Sequence, residues 1–144
     1  MRGFSPRKAR VATKVRTRIL MISSAAFMLM LGLLMTFAPQ EVLAWGGSQA
    51  RLFPVLVVQA AGALYLGFAM VNWTARGTAI GGIYSRPVAL GNLVHFFVVA
   101  ATLLRAVAAA HGSRVLWAAF VAYAVFAGWF GLLVFRGPSR EPAR

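Results

Sequence analysis

Cysteine is absent from the 144 residues, and acidic side chains are nearly so: Glu41 and Glu141 are the only two. Without thiols the chain cannot build a disulfide framework, a thiolate metal site or a dithiol relay from its own residues. Both carboxylates lie outside the long apolar runs. A carboxylate-driven proton exchanger therefore lacks its central group, and so does a cation channel built on an acidic ring. Histidine occurs only at positions 95 and 111, in separate regions, which does not assemble a zinc or haem site. No nucleophile–base pair stands out and no internal repeat is evident. The sequence thus assigns no catalytic residue, no metal and no resident cofactor.

Apolar residues are what the chain has in plenty. They make up 60% of it against 12% charged, where soluble domains lie near about half and a quarter. Fifteen Lys and Arg against two acids give a net charge of +13. A nucleic-acid binder would spread such an excess over a folded surface. Here the basic residues gather at the ends of apolar runs, where anionic lipid headgroups lie. The expected partner is a bilayer with anionic headgroups, and nucleic acid is excluded.

A hydrocarbon core about 30 Å thick needs roughly 20 apolar residues of helix to cross it. Four runs meet that length: 19–38, 52–73, 87–110 and 115–135. Pro39 stops the first, because its ring cannot continue a helix. Pro54 and Pro87 fall in first turns, where proline is tolerated, and Ser113 is the expected N-cap of the fourth run. The runs are about twice the length of a barrel strand and lack period-two alternation. The expected fold is all-α: an integral-membrane four-helix bundle with antiparallel, up-down topology. It is flanked by a basic cytoplasmic tail (1–18) and a second tail (136–144).

Charge sets the orientation. Arg2, Arg7, Lys8, Arg10, Lys14, Arg16 and Arg18 precede the first run, Arg76 and Arg86 bracket the middle loop, and Arg136, Arg140 and Arg144 follow the last. Twelve of the fifteen cations thereby fall on one side of a four-span chain, leaving Arg51, Arg105 and Arg114 for the other. This pattern predicts a multi-pass protein with both termini cytoplasmic. Thr36-Phe37-Ala38 offers small residues suited to signal cleavage, but the apolar run before it exceeds the usual length and proline follows the cut. The acid-free tail also has the composition of a mitochondrial transit peptide. Two readings of the tail stay open. On a helix, Arg7, Arg10, Lys14 and Arg18 share one face that could lie on headgroups; alternatively the tail is an unstructured determinant of topology.

Between the spans, residues 39–49 read as a short outer loop with an interfacial turn carrying Trp45. Residues 74–86 read as a glycine-rich connector that matches neither a P-loop nor a dinucleotide fingerprint.

The third run, "GNLVHFFVVAATLLR", poses the main question, since lipid offers a histidine no partner. Helical spacing gives it a face of Asn92, His95, Val99, Thr102 and Arg105 or Ala106. The second run has a counterpart in Gln59, Gly62, Leu66, Ala69, Asn72 or Trp73, and Arg76. Consecutive antiparallel spans pack together, so Asn72, Asn92 and His95 are expected in one layer and Gln59 and Thr102 in another, turned inward. Gln59, Asn72, Asn92, His95, Thr102 and Arg105 are accordingly the candidate ligand-binding or proton-relay residues. For His95 the structural reading is an interhelical hydrogen bond of the kind worth about 0.6 kcal/mol on average. The functional one is a proton acceptor or ligand contact, given an unperturbed pKa near about 6.5. Arg105 can snorkel to headgroups or hold an anionic or carbonyl group in a cavity. Arg76 and Arg86 read as topology determinants, and His111 as solvated.

The pairs Ala63/Gly67, Ala124/Gly128 and Ala127/Gly131 put small residues one helical turn apart. They suit close packing either within the bundle or between copies. Trp45, Trp73, Trp117, Trp129 and Tyr84 lie near span boundaries, where aromatic rings favour the interface.

In the segments "APQEVLAWGG", "GALYLGFAMVNWTARG", "RPVALGNLVHF" and "TLLRAVAAAHG" the chain resembles the DoxX-like group of small four-span bacterial membrane proteins and its relatives, over about residues 20–135. The resemblance implies a four-helix bundle. It implies little about activity, since many relatives have no assigned role and others are associated with quinone-linked or redox complexes. The "VNW" and "GNLVHF" segments match no functional motif of that group. The leading expectation is a small protein of a bacterial inner membrane, an accessory or scaffold subunit without independent catalysis, working with a membrane-protein partner or as a homo-oligomer. Two rivals are a small-solute or anion carrier using the polar layer, and a quinone-associated redox subunit with His95 at a quinone carbonyl.

Overall fold

The computed structural model describes the backbone of residues 6–77, 85–109 and 114–135, and within these the side chains from Val15 onward except at Ser85. Several expectations fall outside the described residues: Ser113 as N-cap, the solvated His111, Tyr84, the last tail, and the side chains of Arg7, Lys8, Arg10 and Lys14. Among these residues there are five helices, α1 (Pro6–Phe37), α2 (Pro39–Trp45), α3 (Leu52–Ala75), α4 (Ser85–Ala109) and α5 (Arg114–Phe135). There is no strand among the described residues, so the fold is all-α.

Among the described residues four stretches are long and apolar enough to cross a membrane: Val15–Phe37, Leu52–Ala75, Arg86–Ala109 and Arg114–Phe135. The expected spans coincide with them to within a residue or two, except at the start of the first. There the helix begins at Pro6 and runs unbroken into the span, so the tail and the span meet inside one helix. The backbone of the tail from Pro6 onward is therefore helical, as one of the two readings required. Large apolar side chains stand exposed along every span, among them Leu33, Leu64, Val94, Phe97, Val121 and Leu132. A water-soluble monomer does not expose apolar surface on that scale. This is a membrane protein with four candidate spans.

The contacts divide the chain into two compact units, Arg18–Gly77, and Met1–Thr17 with Thr78–Arg144. In the first, α1 and α3 meet in reverse order of sequence. Asn72 reaches Ser24 and Met28, a side chain on Gly32 would strike Leu66, and Gln59 reaches Thr36. The two helices therefore run antiparallel. They approach closely at Gly32 and Gly62: a Cβ on Gly62 would lie 2.5 Å from Thr36 Oγ1, 2.9 Å from its backbone nitrogen and 3.0 Å from the Gly32 carbonyl oxygen. Only a residue without a side chain fits there, and the reward is backbone-to-backbone packing that lipid cannot displace.

The segment expected as an outer loop holds helix α2 instead. Ala38, preceding Pro39, takes a non-helical φ of −130°, as the steric demand of the following ring requires. The helix then closes on a Schellman motif. Gly47 adopts φ +71°, its N–H bonds to Ala44, and the Ser48 N–H bonds to Leu43. Short helices capped this way come from glycine chemistry rather than apolar periodicity, which is why the periodic pattern missed it. Arg51 opens α3 and its guanidinium forks onto Gln49 Oε1 at 3.2 and 3.1 Å.

In the second unit α4 and α5 also run antiparallel: Leu93 lies against Gly131, while Phe96 stacks on Phe126 and Phe130. Ala127 is buried and Gly131 half-buried, so the Ala127/Gly131 pair packs inside its own helix pair. Gly67 and Gly128 are exposed, and a Cβ on either would meet nothing within 4 Å.

These two kinds of glycine predict opposite outcomes. Gly62→Ala should lower stability by roughly 1–3 kcal/mol through overpacking. Gly67→Ala should leave it unchanged or raise it by up to about 1 kcal/mol through helix propensity. Denaturant unfolding of the purified protein in detergent, followed by circular dichroism, measures both.

Candidate functional site

The polar residues of α3 are organised by α1. Asn72 is fully buried, and its amide donates to Ser24 Oγ at 3.1 Å and to Met28 Sδ at 3.7 Å. Ser24 in turn donates to the Met21 carbonyl at 3.1 Å. The Asn72 amide, the Ser24 hydroxyl and a helix carbonyl thus form a chain in which each bond polarises the next. Gln59, further along, donates to the Thr36 carbonyl at 3.3 Å. Thr36 Oγ1, buried beside Gly62, has no hydrogen-bond partner among the described residues. The expected inward face of α3 is largely as the spacing indicated: Gly62, Ala69 and Asn72 are buried, Gln59, Leu66 and Arg76 half-buried, while Trp73 is exposed.

The partners on α1 were not anticipated. Leu20, Ser24, Met28, Gly32 and Thr36 recur at every fourth residue and form a single ridge. That recurrence, with two hydroxyl residues and a glycine in an otherwise apolar run, was the available signal.

On α4 the expected stripe divides. Asn92 is fully buried and donates to the Val88 carbonyl at 2.9 Å. His95 is half-buried. Thr102 and Arg105, by contrast, are exposed, which corrects the expectation that Thr102 turns inward. Its hydroxyl donates to the Val98 carbonyl one turn back, at 2.9 Å. A threonine that satisfies itself on its own helix needs no neighbour and can face lipid. The buried face of α4 follows Ala89, Asn92, Phe96, Ala100 and Val107 instead.

The His95 ring belongs to an aromatic cluster. Its centroid lies 5.4 Å from that of Phe96, nearly perpendicular at 81°, and 6.2 Å from that of Tyr123. Phe96 lies 4.8 Å from Phe126 and 5.7 Å from Phe130, both nearly parallel. Such pairs contribute about 0.5–1.5 kcal/mol each beyond their area. Tyr123, Phe126 and Phe130 are spaced by three and four residues on α5, a pattern visible in the sequence and passed over there.

At the end of α3, Arg76 stacks its guanidinium 4.0 Å from the Trp73 ring centroid and donates to the Trp73 carbonyl. A cation at a helix C-terminus is favoured by the exposed carbonyls, and the ring adds a cation–π attraction. Among the other charged candidates, Arg16, Arg18 and Arg86 are exposed. Among the described residues, no group of three His, Asp or Glu is placed to hold a metal ion.

Two grooves lie along α5. One, of about 440 Å³, is lined by Phe97, Ala100, Leu104, Phe120, Ala124 and Gly128 among others. The other, of about 520 Å³, is lined by Arg16, Ala124, Val125, Gly128, Trp129 and Leu132. Neither includes Asn72, Asn92 or His95 in its lining.

Compared with known proteins, the chain matches no family model, no protein of curated function and no solved structure.

The hydrogen bonds separate structural from incidental polarity. Asn72→Ala should lower stability by roughly 1–2 kcal/mol, whereas Thr102→Val, on an exposed face, should change it by less than about 0.5 kcal/mol. Parallel unfolding curves of the two variants in detergent test the contrast.

Proposed function

We propose that this is an accessory or scaffold subunit of a bacterial inner membrane, without catalysis of its own. The observation that carries the reading is the Asn72–Ser24–Met21 hydrogen-bond chain between α3 and α1. The buried amide is engaged in joining helices, and Gln59 is engaged in the same way with Thr36. A carrier instead needs polar side chains turned into a wet cavity. Among the described residues the grooves along α5 are lined by apolar side chains and by Arg16. A quinone subunit needs His95 at the wall of a lipid-accessible slot, and His95 packs against Phe96 and Tyr123. The resemblance to the DoxX-like group fits the subunit reading, because members of that group are associated with larger redox complexes.

In this proposal both termini face the cytoplasm. The support is the charge asymmetry, with twelve of fifteen cations in the segments assigned to that side. Energetically each of these cations gains about 1 kcal/mol from the anionic leaflet, so reversing the chain would forfeit several such contributions. The partner would contact the exposed apolar faces of the spans or the headgroup-level cations.

Two measurements follow. Reporter fusions after Arg144 and before Met1 should both read as cytoplasmic; opposite readings would sink the topology. Gently solubilised native membranes, resolved by native electrophoresis, should show the chain migrating in a complex far above its own 15.5 kDa. Migration as a free monomer, together with solute flux in proteoliposomes, would replace the subunit reading with transport.

A further inference from the structure

The two grooves share Ala124 and Gly128, so they adjoin along one face of α5. From Phe120 to Leu132 that face extends about 18 Å at 1.5 Å per residue. The hydrocarbon of one leaflet is about 15 Å deep, so the face is long enough for a single acyl chain. Its floor is open because Gly128 carries no side chain, and a Cβ there would meet nothing within 4 Å. The walls are apolar: Phe97, Leu104 and Phe120 towards one end, Val125, Trp129 and Leu132 towards the other. At the Leu132 end the lining includes the guanidinium-bearing Arg16, which is exposed.

We propose that this face of α5 is a binding site for an anionic phospholipid, whose acyl chain lies over Ala124 and Gly128 and whose phosphate meets the Arg16 guanidinium. The inference rests on the reading of the chain as membrane-spanning and goes beyond it by naming one site and one class of lipid. Charge complementarity selects the occupant. An apolar trough ending in a guanidinium matches an amphiphile with a negative head, and guanidinium presents a planar fork suited to phosphate. A second copy fits less well. A two-fold contact through this face, about an axis normal to the bilayer, would place two Arg16 side chains at the same depth beside one another. The chain has only two acids, Glu41 and Glu141, to offset them.

The test uses the full chain with Trp45, Trp73 and Trp117 changed to Phe, so that Trp129 alone reports from the groove wall. The protein is reconstituted in phosphatidylcholine vesicles carrying brominated phosphatidylcholine or brominated phosphatidylglycerol, and quenching gives the relative affinity of the two lipids. The expected preference for the anionic lipid is about fivefold, as one cation at the headgroup level provides. Arg16→Gln should bring the ratio close to one, while Arg18→Gln, which removes an exposed cation outside the groove lining, should leave most of it. Gly128→Leu, which fills the open floor where a Cβ meets nothing within 4 Å, should keep the helicity and abolish the preference. Equal quenching by both lipids overturns the proposal, and so do equal losses in Arg16→Gln and Arg18→Gln. Protection of Trp129 from both lipids, with cross-linked dimers, assigns the groove to a second copy and also overturns it. If brominated lipid quenches none of the four tryptophans in the unmodified chain, the membrane reading beneath the proposal fails instead.

Discussion

A polar group in hydrocarbon can bond only to protein, and this constraint organises the chain. Backbone amides meet it by forming helices throughout the spans. Side chains meet it in two ways. Asn72 and Gln59 reach across to α1, at Ser24, Met28 and Thr36. Thr102 and Ser23 return to carbonyls of their own helices. The first kind of bond joins helices and the second only makes a residue tolerable in lipid. The difference decides which polar residues carry structural information, and it cannot be judged from residue type alone.

The close approach of α1 and α3 follows from the same solvent. Lipid chains are as apolar as leucine, so burying leucine there gains little, and contact between backbones has to supply the attraction. Gly32 and Gly62 permit that contact and bring the Asn72 amide within reach of Ser24. Between α4 and α5 flat rings take this part: Phe96, Phe126 and Phe130 stack, and His95 and Tyr123 lie at their margin. The histidine in the third span therefore stands in an aromatic wall that accommodates its ring.

The positions of the spans were legible because membrane thickness fixes their length and proline marks their ends: Pro39 separates α1 from α2, and Pro54 and Pro87 sit in first turns. The inward face of α3 was legible too, since Gln59, Gly62, Ala69 and Asn72 are small or polar at helical spacing. The face of α4 was not. There the eye follows polarity from Asn92 through His95 to Thr102, while the buried face turns through Phe96 and Ala100 to Val107. In water, apolar residues mark the inside. In lipid both sides are apolar, and the shapes that pack must be known before the inside can be assigned. Ser24 was missed for a related reason: a single hydroxyl in a long apolar run looks incidental until its partner is known. Helix α2 escaped because its limits are set by Pro39 and the left-handed Gly47 rather than by periodicity.

The absence of cysteine makes the central claim directly testable, since any introduced thiol is the only one present. Single substitutions Ser24→Cys, Asn72→Cys and Thr36→Cys, in protein reconstituted into vesicles, can be challenged with a charged, membrane-impermeant methanethiosulfonate from either side. If these polar residues join helices in a dry interior, all three thiols stay unmodified while a control cysteine at Gln49 reacts. Rapid modification of the Asn72→Cys or Ser24→Cys protein would reveal a water path through the α1–α3 contact and contradict the account.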